Sequence, residues 1–127
     1  MDRTVKEISS EELEKYKKGL REKLFKEKEA LEERYKRAWE VAEKAAGLLY
    51  SKYKAEKVMV FGSLINKEFF NKWSDVDIAV LGLDDKGFFK AVAEVSFLSK
   101  EFKIDIVDLE NCSDSLKEKI IKEGKEL

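Results

Sequence analysis

Asp75 and Asp77 stand one residue apart in Ser74-Asp75-Val76-Asp77-Ile78-Ala79-Val80, a stretch otherwise suited to the interior of a sheet. Side chains alternate along a strand. Both carboxylates therefore project from one face, roughly 7 Å apart along the backbone, while Val76, Ile78 and Val80 share the other. Two like charges so placed repel each other and lower strand propensity unless a cation joins them. One divalent ion would do so, as would two ions roughly 3.5–4 Å apart, and Mg²⁺ suits an all-oxygen site completed by water and phosphate. The alternative for this spacing alone is a pair of turn carboxylates facing solvent.

Gly62-Ser63 shifts the balance toward chemistry, because it halts the apolar run Val58-Met59-Val60-Phe61 ahead of an expected short helix through Ile65, Phe69 and Phe70. Glycine permits close backbone approach, amides at a helix start attract phosphate oxygens, and the Ser63 hydroxyl adds a donor. If this cradle is to meet the aspartates, the Ser74–Leu83 strand must run antiparallel to Lys57–Phe61.

The absences narrow the chemistry further. The chain has no His and one Cys, Cys112, so His-based general-base catalysis, Ser-His-Asp triads and the usual zinc ligand sets are excluded. Catalysis has to rest on carboxylates, amines, hydroxyls, backbone amides and a hard cation. Lys plus Arg total 26 against 27 Asp plus Glu, a net charge of −1 that gives no general field for a nucleic acid. No signal peptide or transmembrane-length apolar run is evident, and the expected location is the cytoplasm, away from membranes.

The elements that must position these residues follow from periodicity. With 127 residues, a single domain over 1–127 is expected. One long helix over 10–53, or a kinked pair bent back into a hairpin at the charged turn Lys26–Lys28, opens on a capping box, Ser9 with Glu12, and carries Leu13, Tyr16, Leu20, Leu24, Leu31, Tyr35, Ala38, Ala42, Ala45 and Leu49 on one stripe. Its second half, richer in apolar residues, is expected to pack on the domain, and its first half to be peripheral. A second amphipathic helix is marked by Phe88, Ala91, Val92, Val95, Leu98 and Phe102. Ile104–Leu109 reads as a third strand, and Ser113 or Asp114 caps a last helix with Leu116, Ile120 and Ile121. The expected fold is α+β, a small mixed three-stranded sheet with flanking helices. Trp39, Phe61, Phe69, Phe70, Phe88 and Phe89 are assigned to the core.

Val-Phe-Gly-Ser followed by Ser-Asp-Val-Asp-Ile-Ala-Val resembles the signature of the minimal nucleotidyltransferases of the DNA polymerase β superfamily. The resemblance covers residues 57–125 and includes the closing Ile120-Ile121-Lys122-Glu123-Gly124. It implies a nucleotidyltransferase fold in which Gly62 and Ser63 bind nucleotide phosphates and Asp75 and Asp77 coordinate Mg²⁺. A third aspartate, matching Asp105 in Lys-Ile-Asp-Ile-Val-Asp-Leu, completes the metal site and helps activate an acceptor hydroxyl. Asp108 is its rival; only one of the two can join from a regular strand, and Asp105 lies deeper in the apolar run. The implied reaction transfers a nucleoside monophosphate from a nucleoside triphosphate to a hydroxyl, releasing pyrophosphate. The resemblance also implies a HEPN-domain partner, which such proteins neutralise as antitoxins with or without modifying it. Leu64–Trp73 lacks the Arg and Gly that commonly follow the family's Gly-Ser and offers Asn66, Lys67 and Lys72 instead, so triphosphate binding is expected to be weaker or differently arranged. The uncovered stripe Leu13, Tyr16, Leu20 and Leu24 is expected to pair with another helix, in a homodimer or a second protein.

Overall fold

The computed structural model describes residues 9–127. Helix α1 spans Ser10–Ser51 and is unbroken at the charged turn Lys26–Lys28. Ser9 caps it by accepting from the Glu12 amide at 3.1 Å. The chain divides into two compact units, Met1–Glu33 and Arg34–Leu127. In the described part of the first, Leu13, Tyr16, Leu20, Leu24 and Phe25 are exposed.

The second unit holds β1 (Lys57–Phe61), β2 (Val76–Leu81), α2 (Asp85–Val95), β3 (Ile104–Asp108), α3 (Asp114–Glu123) and β4 (Lys125–Glu126). Its sheet has the order β3-β2-β1-β4, with β2 and β3 parallel and the other pairs antiparallel. The three expected strands are present, and a two-residue fourth joins them. Gly124 makes that addition feasible: a Cβ there would press on the carbonyl oxygens of Ile120 and Val60 at 2.5 and 3.0 Å. The chain can then leave α3 and fold directly onto β1.

Alternation divides the sheet residues between two buried layers. Met59 and Ala79 form one with Leu109 and Ile120, joined by Phe61, Leu81, Val107, Cys112 and Leu116, so α3 covers this face. Val58, Val60, Val76, Ile78 and Val80 point the other way and are fully buried. What remains to cover them is α2, through Ala91 and Val95, and the latter part of α1, whose Ala38, Ala42, Ala45, Ala46 and Leu49 are buried. No helix among the described residues is long and apolar enough to cross a membrane.

Several local expectations are corrected. α2 stops at Val95, so Leu98 and Phe102 belong to the following turns. Its cap is Asp84, which accepts from the Gly87 amide, and Ser113 caps α3 by accepting from Leu116. Phe69 and Phe89 are 68% and 71% exposed and are not core residues. Phe69 sits in an isolated 3₁₀ turn and Phe89 on the outer side of α2, where hydrophobic type alone does not secure burial.

Tyr50 ties the helix to the sheet. Its hydroxyl accepts from the Val58 amide at 2.9 Å and donates to the Leu127 carbonyl at 2.7 Å, fixing both β1 and the chain end beyond β4. Tyr50→Phe should cost about 1–2 kcal/mol in chemical denaturation, because it strands a buried amide. An unchanged midpoint would show that the bridge is replaceable by water.

Candidate active site

Register determines which carboxylates meet. In the β1–β2 ladder Phe61 is opposite Asp77, and in the β2–β3 ladder Asp77 is opposite Asp105. Residues opposite one another share a face, so Asp77 and Asp105 lie on the α3-covered side, two positions beyond buried Ala79 and partly buried Val107. α3 seals the apolar part of that face, and the carboxylates occupy its end. Asp75 precedes β2 by one residue, correcting the longer expected strand. It remains close enough to raise the Asp77 pKa.

The β2–β3 register places Asp105 and Asp108 at different ends of the ladder. Asp108 is opposite Val80, at the other end of the ladder from Asp77. Its oxygens accept from the Glu110 amide at 3.0 Å and the Asn111 side-chain amide at 2.7 Å. Asp108 therefore closes the turn after β3, while Asp105 stands beside Asp77.

Gly62 brings the backbone to this cluster. It has φ +76°, and a Cβ there would collide with Asp77 Oδ2. A side chain at position 62 would thus strain the backbone and intrude on the carboxylate. The antiparallel relation expected between the two strands is present, and it sets the Gly62-Ser63 turn against the aspartates. The helix expected after Gly62-Ser63 is replaced by two 3₁₀ turns, Gly62–Leu64 and Lys67–Phe69. Their few amides give local donors in place of the dipole of a full α-helix.

The electrostatics are those of crowded like charges. The Asp77 carboxyl is pushed up from its ordinary 3.8 to about 6, first by burial and then by Asp105 and Asp75, with Lys103 opposing. Lys103 Nζ is 3.5 Å from Asp105 Oδ1, in an exposed pair of modest strength. The three carboxylates repel one another without being drawn together: among the described residues no three His, Cys, Asp or Glu side chains are disposed to hold an ion. The donor chemistry fits a hard divalent cation nonetheless. It is all oxygen, partly buried and anionic, and the Asp77 carboxyl is raised first by burial and then by its acidic neighbours, both of which such a cation would offset.

Two contributors were not legible in the sequence. Lys103 has only its neighbourhood to Asp105 as a signal. Arg34, on α1, gave none: its guanidinium donates to the Ser74 carbonyl at 3.1 Å, just before Asp75, and lies 4.3 Å from the Phe102 ring centre and 3.7 Å from Glu101. It anchors the approach to β2 from a position forty residues upstream.

A cleft of about 610 Å³ adjoins the cluster on the Gly62 side, lined by Gly62, Ser63 and Asn66 opposite Leu116, Lys119 and Glu123 of α3, among others. Its walls are largely apolar, with a few polar groups, in the size range of small-molecule sites.

Because folding raises the Asp77 pKa, the native state binds that proton more tightly than the unfolded chain. Its contribution favours folding below about pH 4 and is lost as pH rises through about 6. In chelator, lowering the pH from 7 to 5 should therefore raise the Asp77-dependent part of the stability. Asp77→Asn should flatten that dependence and stabilise the chain at pH 7 by on the order of 1 kcal/mol, after discounting for solvent screening. Parallel urea titrations of the two proteins check this.

Among curated protein sequences nothing matches this chain. Solved structures do. A chain from a structure described as a toxin–antitoxin with AMP-PNP is 27% identical, with a TM-score of 0.55 over 67% of this chain and 70% of that one. A mutant of the toxin–antitoxin MntA-HpeT, carrying glutamate for two aspartates one residue apart, gives 25% identity and a TM-score of 0.54 over 67% and 70%. A structure of a tri-AMPylated Shewanella oneidensis HEPN toxin in complex with an MNT antitoxin gives 25% identity and a TM-score of 0.52 over 70% of each chain. The family described as Polymerase beta, Nucleotidyltransferase matches residues 43–127, which includes the whole sheet, all three aspartates and the last turns of α1. The chain belongs to the polymerase β nucleotidyltransferase family.

Proposed function

We propose that this protein transfers a nucleoside monophosphate from a nucleoside triphosphate to a hydroxyl acceptor, with Mg²⁺ as its metal. The observation that carries this reading is the contact between Gly62 and Asp77: the backbone turn suited to phosphate oxygens lies against the carboxylate suited to a cation.

Asp75, Asp77 and Asp105 would hold the metal, and Gly62 and Ser63 would bind the phosphates. Bound there, Mg²⁺ would neutralise phosphate charge and favour the ionised form of the acceptor. Asp105 orients the acceptor hydroxyl and takes its proton. As the acceptor oxygen bonds to the α-phosphorus, the bond from that phosphorus to the bridging oxygen breaks and pyrophosphate leaves with the electron pair. Arg34 and the sheet register keep Asp75 and Asp77 aligned during the exchange.

A second reading is antitoxin-like: the chain neutralises a helical HEPN-type partner, with or without nucleotidylating it. The neighbours solved as toxin–antitoxin complexes favour it. A soluble, cytoplasmic setting suits both readings. The exposed residues Leu13, Tyr16, Leu20 and Leu24 on α1 support helix pairing, either with that partner or in a homodimer.

Incubation with each labelled nucleoside triphosphate and Mg²⁺, alone and with a co-purified partner, should give a nucleotidylated product. Asp75→Asn and Asp77→Asn should each lower the rate by at least about 10³-fold, or about 4 kcal/mol, in a folded protein. Asp105→Asn should act similarly and Asp108→Asn mildly; retained transfer in the first two variants would sink the metal assignment. Light scattering separates the pairing modes. A full-length dimer that becomes monomeric when the chain begins at Leu31 supports homodimerisation, whereas a full-length monomer with a compact radius rules it out.

A further inference from the structure

We propose that Lys119, on α3, is the cation that holds the pyrophosphate end of the bound triphosphate, a role the lysines between Gly-Ser and the aspartates do not fill. This rests on the transfer reading above.

Leu64–Trp73 offers two lysines to a phosphate at Gly62-Ser63, and both are directed elsewhere. Lys67 Nζ lies 5.4 Å from the Tyr35 ring centre, and Lys72 Nζ lies 5.3 Å from that of Trp73. Neither lines the cleft beside Gly62, whereas Asn66 from the same segment does. The one cationic side chain among the cleft's described lining residues is Lys119, contributed from the opposite wall. It is exposed and forms no ion pair among the described residues, even with Glu123 one helical turn further along the same wall. An ammonium so placed remains available to a ligand.

The direction of the bound phosphates follows from where the groups lie. The reacting α-phosphate must sit at the aspartates. Gly62 touches Asp77, and the cleft continues from Gly62 and Ser63 toward α3 with none of Asp75, Asp77 or Asp105 in its lining. A phosphate chain that starts at the carboxylates and passes the Gly62-Ser63 turn therefore ends at the mouth of this cleft. Negative charge builds on the leaving pyrophosphate as its bridging bond breaks, and a lysine point charge at that end stabilises it. Glu123 lines the cleft too, and its carboxylate keeps phosphate away from its own end, confining it toward Ser63.

The test is calorimetric titration of the full chain, with Mg²⁺, using AMP-PNP, AMP and inorganic pyrophosphate as probes. Lys119→Gln should weaken AMP-PNP and pyrophosphate about tenfold, the scale of one charge-assisted contact, and leave AMP within about twofold. Lys119→Arg should restore most of the loss, and Lys67→Gln and Lys72→Gln should each stay within about twofold of wild type. Unchanged binding of all three probes by Lys119→Gln, an equal loss for AMP, or a larger loss in the Lys67 or Lys72 variant would overturn the assignment. Failure of the wild-type chain to bind any probe would instead overturn the functional reading, and this one with it.

Discussion

The repulsion among Asp75, Asp77 and Asp105 is the constraint around which the second unit is organised. Burial of Asp77, with the charges of Asp105 and Asp75 beside it, opposes folding with that carboxyl ionised and holds its pKa up at about 6. The sheet must therefore be held by interactions elsewhere. They are the two buried layers on either side of β1 and β2, and the hydrogen bonds by which Tyr50 and Arg34 fasten α1 to the sheet and to the approach to β2. Stability is concentrated away from the charged end, which leaves that end free to be shaped for ligands.

Register transmits this arrangement to the site. With the antiparallel β1–β2 pairing, Gly62 follows Phe61 directly past Asp77; with the parallel β2–β3 pairing, Asp105 comes in beside the same residue. A slip of one position in either ladder would send a carboxylate to the opposite face, among Val58, Val60 and Ile78. The buried valines and isoleucines therefore serve the site as much as the core, because they penalise every register but this one.

Charge is distributed in two ways in this chain. Most lysines and glutamates sit on exposed helix faces, as in the pairs Lys15–Glu11 and Lys17–Glu14 of α1, where their energetic value is small. A few are distinguished by where they lie: Lys103 beside Asp105, Arg34 at the Ser74 carbonyl, and Lys119 in the lining of the cleft that holds Ser63. Net charge, at −1, conceals this difference, which depends on position.

The sequence by itself determined most of the elements and the family signature. Short apolar runs marked β1 and β3 to within a residue, the three-and-four spacing marked α1 and α3, and Gly-Ser ahead of Asp-Val-Asp, with no His, pointed to carboxylate and metal chemistry. These signals are local, set by neighbours along the chain. Tertiary structure decided what depends on pairing between distant segments. Asp105 and Asp108 have similar local surroundings, and only the β2–β3 register separates the residue beside Asp77 from the one that closes a turn. The two-residue β4 has no periodicity to read and exists because Gly124 allows close approach to β1. The 3₁₀ turns replaced a helix because the few apolar residues after Gly62 find burial piecemeal, Leu64 and Phe70 inward and Phe69 outward. Arg34 and Lys119 look like the other cations of their helices in the sequence; a carbonyl brought from forty residues away and a cleft wall facing Gly62 are what distinguish them.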